Sequence, residues 1–340
     1  MSDEIQKSAI SESIDPHEVD AMKMHMVQAL NQALAAEMER DERVMLLGED
    51  VGVDGGVFRV TDGLIERFGA ERVVDTPLAE AGIIGTAIGL AIAGMRPIPE
   101  MQFSGFSYQA FHHFKQHMSR IRQRSSGTFS APLVVRMPVA GGIRALEHHS
   151  ESPESFFIHT QGLKVVCPSG PYDAKGLLLA SIRDPDPVLF LEPKSVYRAF
   201  KEDVPEDDYT LELGKANLVQ EGSGVTVITW GAMLRQTLAS IEGLDAEVID
   251  LRTLWPLDFD TIEASVKKTG RVVIVHEAPR ALGFGAEIAA QIQEKLILHL
   301  EAPIKRVTSF DVPFPPFSIE HMFIPNPTRI RAGIEETLHY

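Results

Sequence analysis

Cysteine is nearly absent from this chain: Cys167 is the only one in 340 residues. A lone cysteine closes no internal disulfide, which suits a reducing cytoplasm. Its apolar setting, Leu163-Lys-Val-Val-Cys167-Pro, reads as a buried strand rather than a nucleophile's surroundings. Long apolar runs are missing too. No stretch of about 18 uninterrupted apolar residues occurs, which argues against a membrane span. Basic residues are in deficit, 32 Lys and Arg against 48 Asp and Glu, a net charge of -16. That balance argues against a non-specific nucleic-acid binder. The local basic run Lys115 to Arg124 reads as a solvated or interface face. There is no H-E-x-x-H for zinc and no G-x-S-x-G for a serine hydrolase. The first twenty residues lack both the apolar core of a secretory signal and the basic, acid-poor character of a transit peptide. They are acidic and polar, so residues 1–22 are expected to form a disordered extension and the protein to be cytoplasmic.

The composition that remains, 44% apolar and 24% charged, is that of an ordinary globular protein. At this length two domains are expected. From about Met24 strand-like and helix-like patterns alternate. Met26 to Arg40 reads as an amphipathic helix, Val44-Met-Leu-Leu-Gly48 as a buried strand, and Tyr108 to Arg124 as a helix. Strands follow at Leu133 to Met137, Leu163 to Val166 and Val188 to Leu191. Alternation of this kind implies an α/β fold with mostly parallel sheets. The charged stretch from Arg198 to Tyr209 reads as a linker, after which the pattern restarts at Val225. The expected division is a domain over 23–197, a linker over 198–212 and a second α/β domain over 213–340.

The segment Thr76-Pro-Leu-Ala-Glu80 leads into Ala81-Gly-Ile-Ile-Gly85-Thr-Ala-Ile-Gly89, a helix of small and apolar residues. Pro77 is suited to a helix start. Three glycines at helical spacing, each costing up to about 1 kcal/mol relative to alanine, call for close approach of another backbone. Glu80 is then a carboxylate at the mouth of a buried helix, either interacting with the helix N-terminus or doing chemistry. Ligands of open α/β sheets collect at the carboxyl ends of strands. Glu49, the span from Asp75 to Glu80, Phe103 to Phe106 and His148-His149 all fall there. The two histidines, in a glycine-led loop, suggest acid–base work; neighbours in sequence usually point apart, which disfavours a shared metal. Gly283-Phe-Gly285 reads as a tight strand-to-helix turn rather than a dinucleotide fingerprint.

Taken in order, several motifs resemble one family. They are Leu47-Gly-Glu49-Asp50, Gly55-Gly-Val-Phe58, Asp75-Thr-Pro-Leu-Ala-Glu80, His149-Ser-Glu-Ser-Pro153, Pro168-Ser-Gly-Pro-Tyr-Asp-Ala-Lys175 and Asp250-Leu-Arg-Thr253. The chain is similar to β subunits of the thiamine-diphosphate-dependent, decarboxylating component of 2-oxo acid dehydrogenase complexes. The resemblance runs from about Met24 to Tyr340. It implies a transketolase-like pyrimidine-binding domain, a transketolase C-terminal-like domain, and pairing with an α subunit as a heterotetramer of two α and two β chains. The α chain would hold the cofactor's diphosphate and Mg2+, in keeping with the lack here of a Gly-Asp-Gly run followed by Asn-Asn.

Position by position, the resemblance gives Glu80 the hydrogen bond to N1′ of the aminopyrimidine. A carboxyl group there favours the imino tautomer, whose nitrogen can take the thiazolium C2 proton. Phe106 matches the aromatic packed on the pyrimidine, and Glu49 an acid lining the route between paired active sites. His149 matches the histidine near the reacting carbon, assigned to protonation or charge stabilisation during acyl transfer to a lipoyl arm. Leu133, Ser181, Ile182, Asp184 and Asp186 resemble a segment that supplies oxygens to a structural K+. The implied reaction is oxidative decarboxylation of a 2-oxo acid with acylation of the lipoyl group of an acyltransferase core. The Phe103-Ser-Gly-Phe106 segment favours pyruvate. The alternative is a branched-chain substrate, to which His149-Ser-Glu-Ser-Pro and Glu192-Pro-Lys-Ser-Val-Tyr-Arg198 are closer. A more distant alternative is a non-catalytic assembly subunit, and another is half of a transketolase-like or deoxyxylulose-phosphate-synthase-like enzyme.

Overall fold

The computed structural model describes residues 21–340; the expected acidic extension lies outside them except for its last two residues. In the first half, β1 (Ala21–Met24) precedes α1 (Met26–Arg40), β2 (Val44–Gly48), β3 (Val73–Asp75), α2 (Glu80–Ile92) and β4 (Arg96–Glu100). Then follow β5 (Val134–Val139), β6 (Lys164–Val166), α3 (Pro171–Arg183), β7 (Val188–Pro193) and β8 (Glu202–Pro205). The second half holds β9 (Asn217–Gln220), β10 (Val225–Thr229), α4 (Ala232–Ser240), β11 (Ala246–Asp250), β12 (Thr253–Trp255) and α5 (Phe259–Thr269). It ends with β13 (Val272–Pro279), α6 (Phe284–Leu296), β14 (Lys305–Ser309) and α7 (Pro327–Leu338).

Local sequence accounts for these elements. In β2, β5 and β7 every residue is buried, as strands covered by helices on both faces require. Helix α1 buries Met26, Leu30, Ala33, Leu34 and Met38, one face at helical period. Asp258 caps α5 through the Thr261 N–H, and Gly270, at φ 66°, ends it in the left-handed region that glycine tolerates. Asn326 accepts from the Arg329 N–H and Pro327 opens α7.

The first sheet has the order β12-β6-β7-β5-β4-β2-β3, and the second β14-β13-β10-β11-β9. All neighbouring pairs are parallel except β12 on β6 and β9 on β11. Strand β12 comes from the second half of the chain yet completes the first sheet. One apolar core joins the two halves, running from Ile84, Phe114 and Val135 to Ile228, Ile249 and Leu254.

Three expectations change. The helix expected from Tyr108 to Arg124 is broken into a 3-10 segment (Ser104–Ala110), a helix (Phe111–Gln116), a 3-10 turn (Met118–Arg120) and a last helical turn (Ile121–Arg124). The stretch read as a linker contains β8, which pairs antiparallel with β1 through Met22↔Val204 and Met24↔Glu202. Glu80, not Pro77, is the first residue of its helix. Among the described residues no helix is long and apolar enough to cross a membrane.

Candidate active site

The parallel strands β2, β3, β4 and β5 all deliver their carboxyl ends to one edge of the first sheet. Glu49 follows β2 directly, Glu80 opens α2 after β3, Phe103 and Phe106 follow β4, and His149 follows β5. The turn after β2 is held by Asp75, whose carboxylate accepts from the Gly52 N–H at 2.5 Å and the Val53 N–H at 3.1 Å. Gly48 permits the turn, because a Cβ there would lie 2.9 Å from Val51 and 3.0 Å from the Glu100 carbonyl. This places Glu49 inward, 5% exposed, and Glu80 beside it, 7% exposed. Burial, the nearby Glu80 and then Asp50 push the Glu49 carboxyl up to about 7. Its Oε2 is buried without a hydrogen-bond partner. Two buried acids that feel each other's charge, one retaining its proton near neutrality, are suited to giving and taking protons.

The second part of the site is aromatic. The Phe103 ring stacks on the His149 imidazole, centroids 4.0 Å apart and planes 6° from parallel. Phe106 meets His149 edge-on at 5.4 Å, and Phe58 meets Phe103 edge-on at 5.7 Å. His148 and His149 do not point apart as expected; their ring centroids are 4.1 Å apart at 74°. They share one 3-10 turn, Glu147–His149. Burial lowers the His149 pKa, helped by His148 and Lys194, so the imidazole is neutral at neutral pH. Its Nδ1 is buried without a partner. His148 is more exposed and sits 3.5 Å from Glu147.

Of the residues expected to act, Glu49 and Glu80 come together, as do Phe106 and His149, all on the same sheet edge. The expected K+ segment does not join them, and its oxygens are engaged otherwise. The Arg96 guanidinium donates to the carbonyls of Ile182 at 2.7 Å and Asp184 at 3.2 Å. The Leu133 carbonyl accepts from the Val188 N–H and that of Ser181 from the Asp184 N–H. Lys164 holds the Asp184 carboxylate and Arg122 that of Asp186, each at 2.5 Å. A carbonyl that accepts one hydrogen bond keeps a second lone pair, so K+ ligation by these five residues stands as a proposal beside these contacts.

Sequence reading missed Phe103 as a partner of His149, and missed Gly105. A Cβ on Gly105 would lie 2.0 Å from the His148 carbonyl oxygen, so this glycine is required for the two loops to meet. Lys194, 3% exposed with its Nζ unpartnered and its pKa lowered by burial to about 7, was missed too. A lysine directly after the fully buried strand Val188–Pro193 was the available signal. Within this chain no backbone packs on the helix glycines: Gly89 faces open space and Gly82 meets only Ala79.

Comparison with known proteins places this geometry in a class. Residues 22–199 match the family described as "Transketolase, pyrimidine binding domain" and residues 214–330 the one described as "Transketolase, C-terminal domain". A solved structure described as "Split gene transketolase, inactive beta4 tetramer" shares the fold, with a TM-score of 0.77 at 19% identity over 94% of this chain and 99% of that one. The chain is thus a two-domain α/β protein of the transketolase class. Relatives from Staphylococcus epidermidis and Staphylococcus aureus, each named "Pyruvate dehydrogenase E1 component subunit beta", are 50% identical over 323 residues, 94% of this chain and 99% of theirs. The chain belongs to the family of pyruvate dehydrogenase E1 component beta subunits.

Proposed function

We propose that this chain is the β subunit of a thiamine-diphosphate-dependent pyruvate dehydrogenase E1 component, and that Glu80 and Glu49 serve the pyrimidine end of the cofactor. The observation that carries the reading is the buried carboxyl pair at the sheet edge, one member held near neutrality with an unpartnered oxygen. Those donors fit a nitrogen heterocycle: Glu80 would hydrogen-bond a ring nitrogen, and Phe106 would supply an apolar face. When bound, the cofactor supplies the nucleophilic carbon and the electron sink that decarboxylation of a 2-oxo acid requires. Glu80 holds or passes the proton that sets the pyrimidine's tautomer, and Glu49 extends the acidic path from it. His149, neutral and near the aromatic wall, can hydrogen-bond developing charge or shuttle a proton as the acyl group leaves for a lipoyl arm.

The proposal includes an α subunit that binds the diphosphate and Mg2+, two copies of each chain, and a lipoyl acyltransferase core as the acceptor's carrier. The sequence has no Gly-Asp-Gly and Asn-Asn pattern of its own for the phosphates. A cytoplasmic setting is part of the reading, supported by the buried, unpaired Cys167. Pyruvate is preferred because the named relatives support it.

The test is co-expression with the α chain and turnover of pyruvate against 3-methyl-2-oxobutanoate with an artificial electron acceptor. Glu80→Gln should lower decarboxylation at least about tenfold, roughly 1.4 kcal/mol of barrier. Unchanged turnover would refute the role of Glu80. Preference for the branched substrate would overturn the assignment to pyruvate.

A further inference from the structure

No hydrogen bond fixes the orientation of His149 through its Nδ1, which is buried and unpartnered. Packing must do so instead. Three rings surround the imidazole: Phe103 on its face at 4.0 Å, Phe106 at its edge at 5.4 Å and His148 at 4.1 Å. Phe103 is itself buried and is met edge-on by Phe58, which packs on the buried Tyr197 at 5.1 Å. The backbones interlock as well. The space that a side chain at 105 would fill is taken by the His148 carbonyl. Beyond the histidines, the Ser104 hydroxyl donates to the Glu151 carbonyl at 3.2 Å and Tyr108 bonds the Glu151 carboxylate. The Ala140 N–H donates to that same carbonyl at 2.8 Å. The 3-10 segment after β4 therefore meets the histidine turn at His148 and is bonded to the chain just beyond it at Glu151.

We propose that Phe103 and Gly105 are positioning residues for His149, the ring fixing the plane of the imidazole and the glycine seating the turn that carries it. This rests on the reading that His149 acts in acyl transfer. The chemistry requires such a seat, because an imidazole on a loop with no hydrogen bond would otherwise sample several rotamers. A misplacement of about 1 Å can cost on the order of a hundredfold in rate.

The test uses the heterotetramer co-expressed with its α chain, pyruvate as substrate and a free lipoyl domain as acceptor, with His149→Ala as the reference. Phe103→Leu should lower kcat for acyl transfer about tenfold with KM for pyruvate within about twofold, a loss at the low end of that positioning effect. It should also move the acidic limb of the pH profile upward, because water then reaches one face of the imidazole. Phe103→Tyr, which keeps the ring face, should recover most of the rate, and Gly105→Ala should reproduce the defect. If Phe103→Leu does not assemble, Phe103→Met serves, keeping the bulk without an aromatic face. Normal transfer and an unmoved pH limb in these variants, with transfer lost in His149→Ala, would overturn the positioning role alone. Normal transfer in His149→Ala would overturn the reading of His149, and the proposal with it.

Discussion

Arg136 is the most constrained single residue behind the site. It is 1% exposed on β5, between Glu100 at the end of β4 and Glu192 near the end of β7. Its Nε and Nη2 donate to the two oxygens of Glu192 at 2.7 and 2.8 Å, and its Nη1 to Glu100. Tyr197 donates its hydroxyl to Glu192 at 2.6 Å and packs against Phe58. Burial raises the Glu100 pKa, and the guanidinium opposes that shift. Buried ion clusters of this kind add little net stability, yet removing one partner is costly because the others stay buried and unpaired. Arg136→Met should therefore destabilise the chain by about 3–5 kcal/mol, read as a lower urea midpoint. Arg136→Lys should not restore it, since an ammonium cannot bridge both oxygens of Glu192 in the same fork. Stability like the parent's in Arg136→Met would show that the cluster relaxes toward water.

At the scale of elements, the parts legible in the sequence were those set by local pattern. Met26 to Arg40 and Val44 to Gly48 have the extents their periodicity implies, because each buries a contiguous face or both faces. The carboxyl-edge position of Glu49, Glu80 and His149 followed from strand alternation alone. What was illegible depended on contacts distant in sequence. The span from Tyr108 to Arg124 has helical composition, but His117, at φ -119° and ψ -67°, breaks the continuous helix. The charges of Arg198 to Tyr209 hid a strand, because β8 is stabilised by pairing with β1 some 180 residues earlier. The stack of Phe103 on His149 was invisible for the same reason. Strand β12 carries the largest consequence. It pairs antiparallel with β6, Thr253↔Val166 and Trp255↔Val165, while Leu254 sits fully buried in the core common to both halves. Leu254→Ala should cost about 2–5 kcal/mol and lower a single unfolding transition common to both halves. Two resolved transitions in calorimetry, only one of them shifted, would show that β12 does not couple the sheets.

Across the whole molecule, several ionisable groups are buried where the halves meet, among them Glu154, Lys194, Asp250 and Glu277. Glu154 and Glu277 line one small cavity there together with Cys167 and Trp230. Glu277 accepts from the Gly141 N–H at 2.6 Å, tying β13 to the loop that leads to His149. Burial pushes Glu154 up to about 8 and Glu277 up to about 7, and Asp250 nearby up to about 8. A carboxyl with a raised folded pKa holds a proton that the unfolded chain has released, so its contribution is full below about 4.5 and is lost as pH rises through the folded value. Two other buried groups act in the opposite sense. His276, lowered to about 3 by burial, makes stability rise with pH up to about 6.5, and Lys194 does so from about 7 upward. The parent's own pH profile mixes these effects, so the informative quantity is the difference between Glu154→Gln and the parent. The variant keeps the side chain's volume and cannot ionise. Near pH 5 the two should melt at similar temperatures. As pH rises toward 8 the variant should gain steadily, with a ceiling of about 1.4 kcal/mol per pH unit for one proton. A difference that stays flat from pH 5 to 8 would show that water reaches Glu154 in the folded protein, and that the seam between the halves is open rather than sealed.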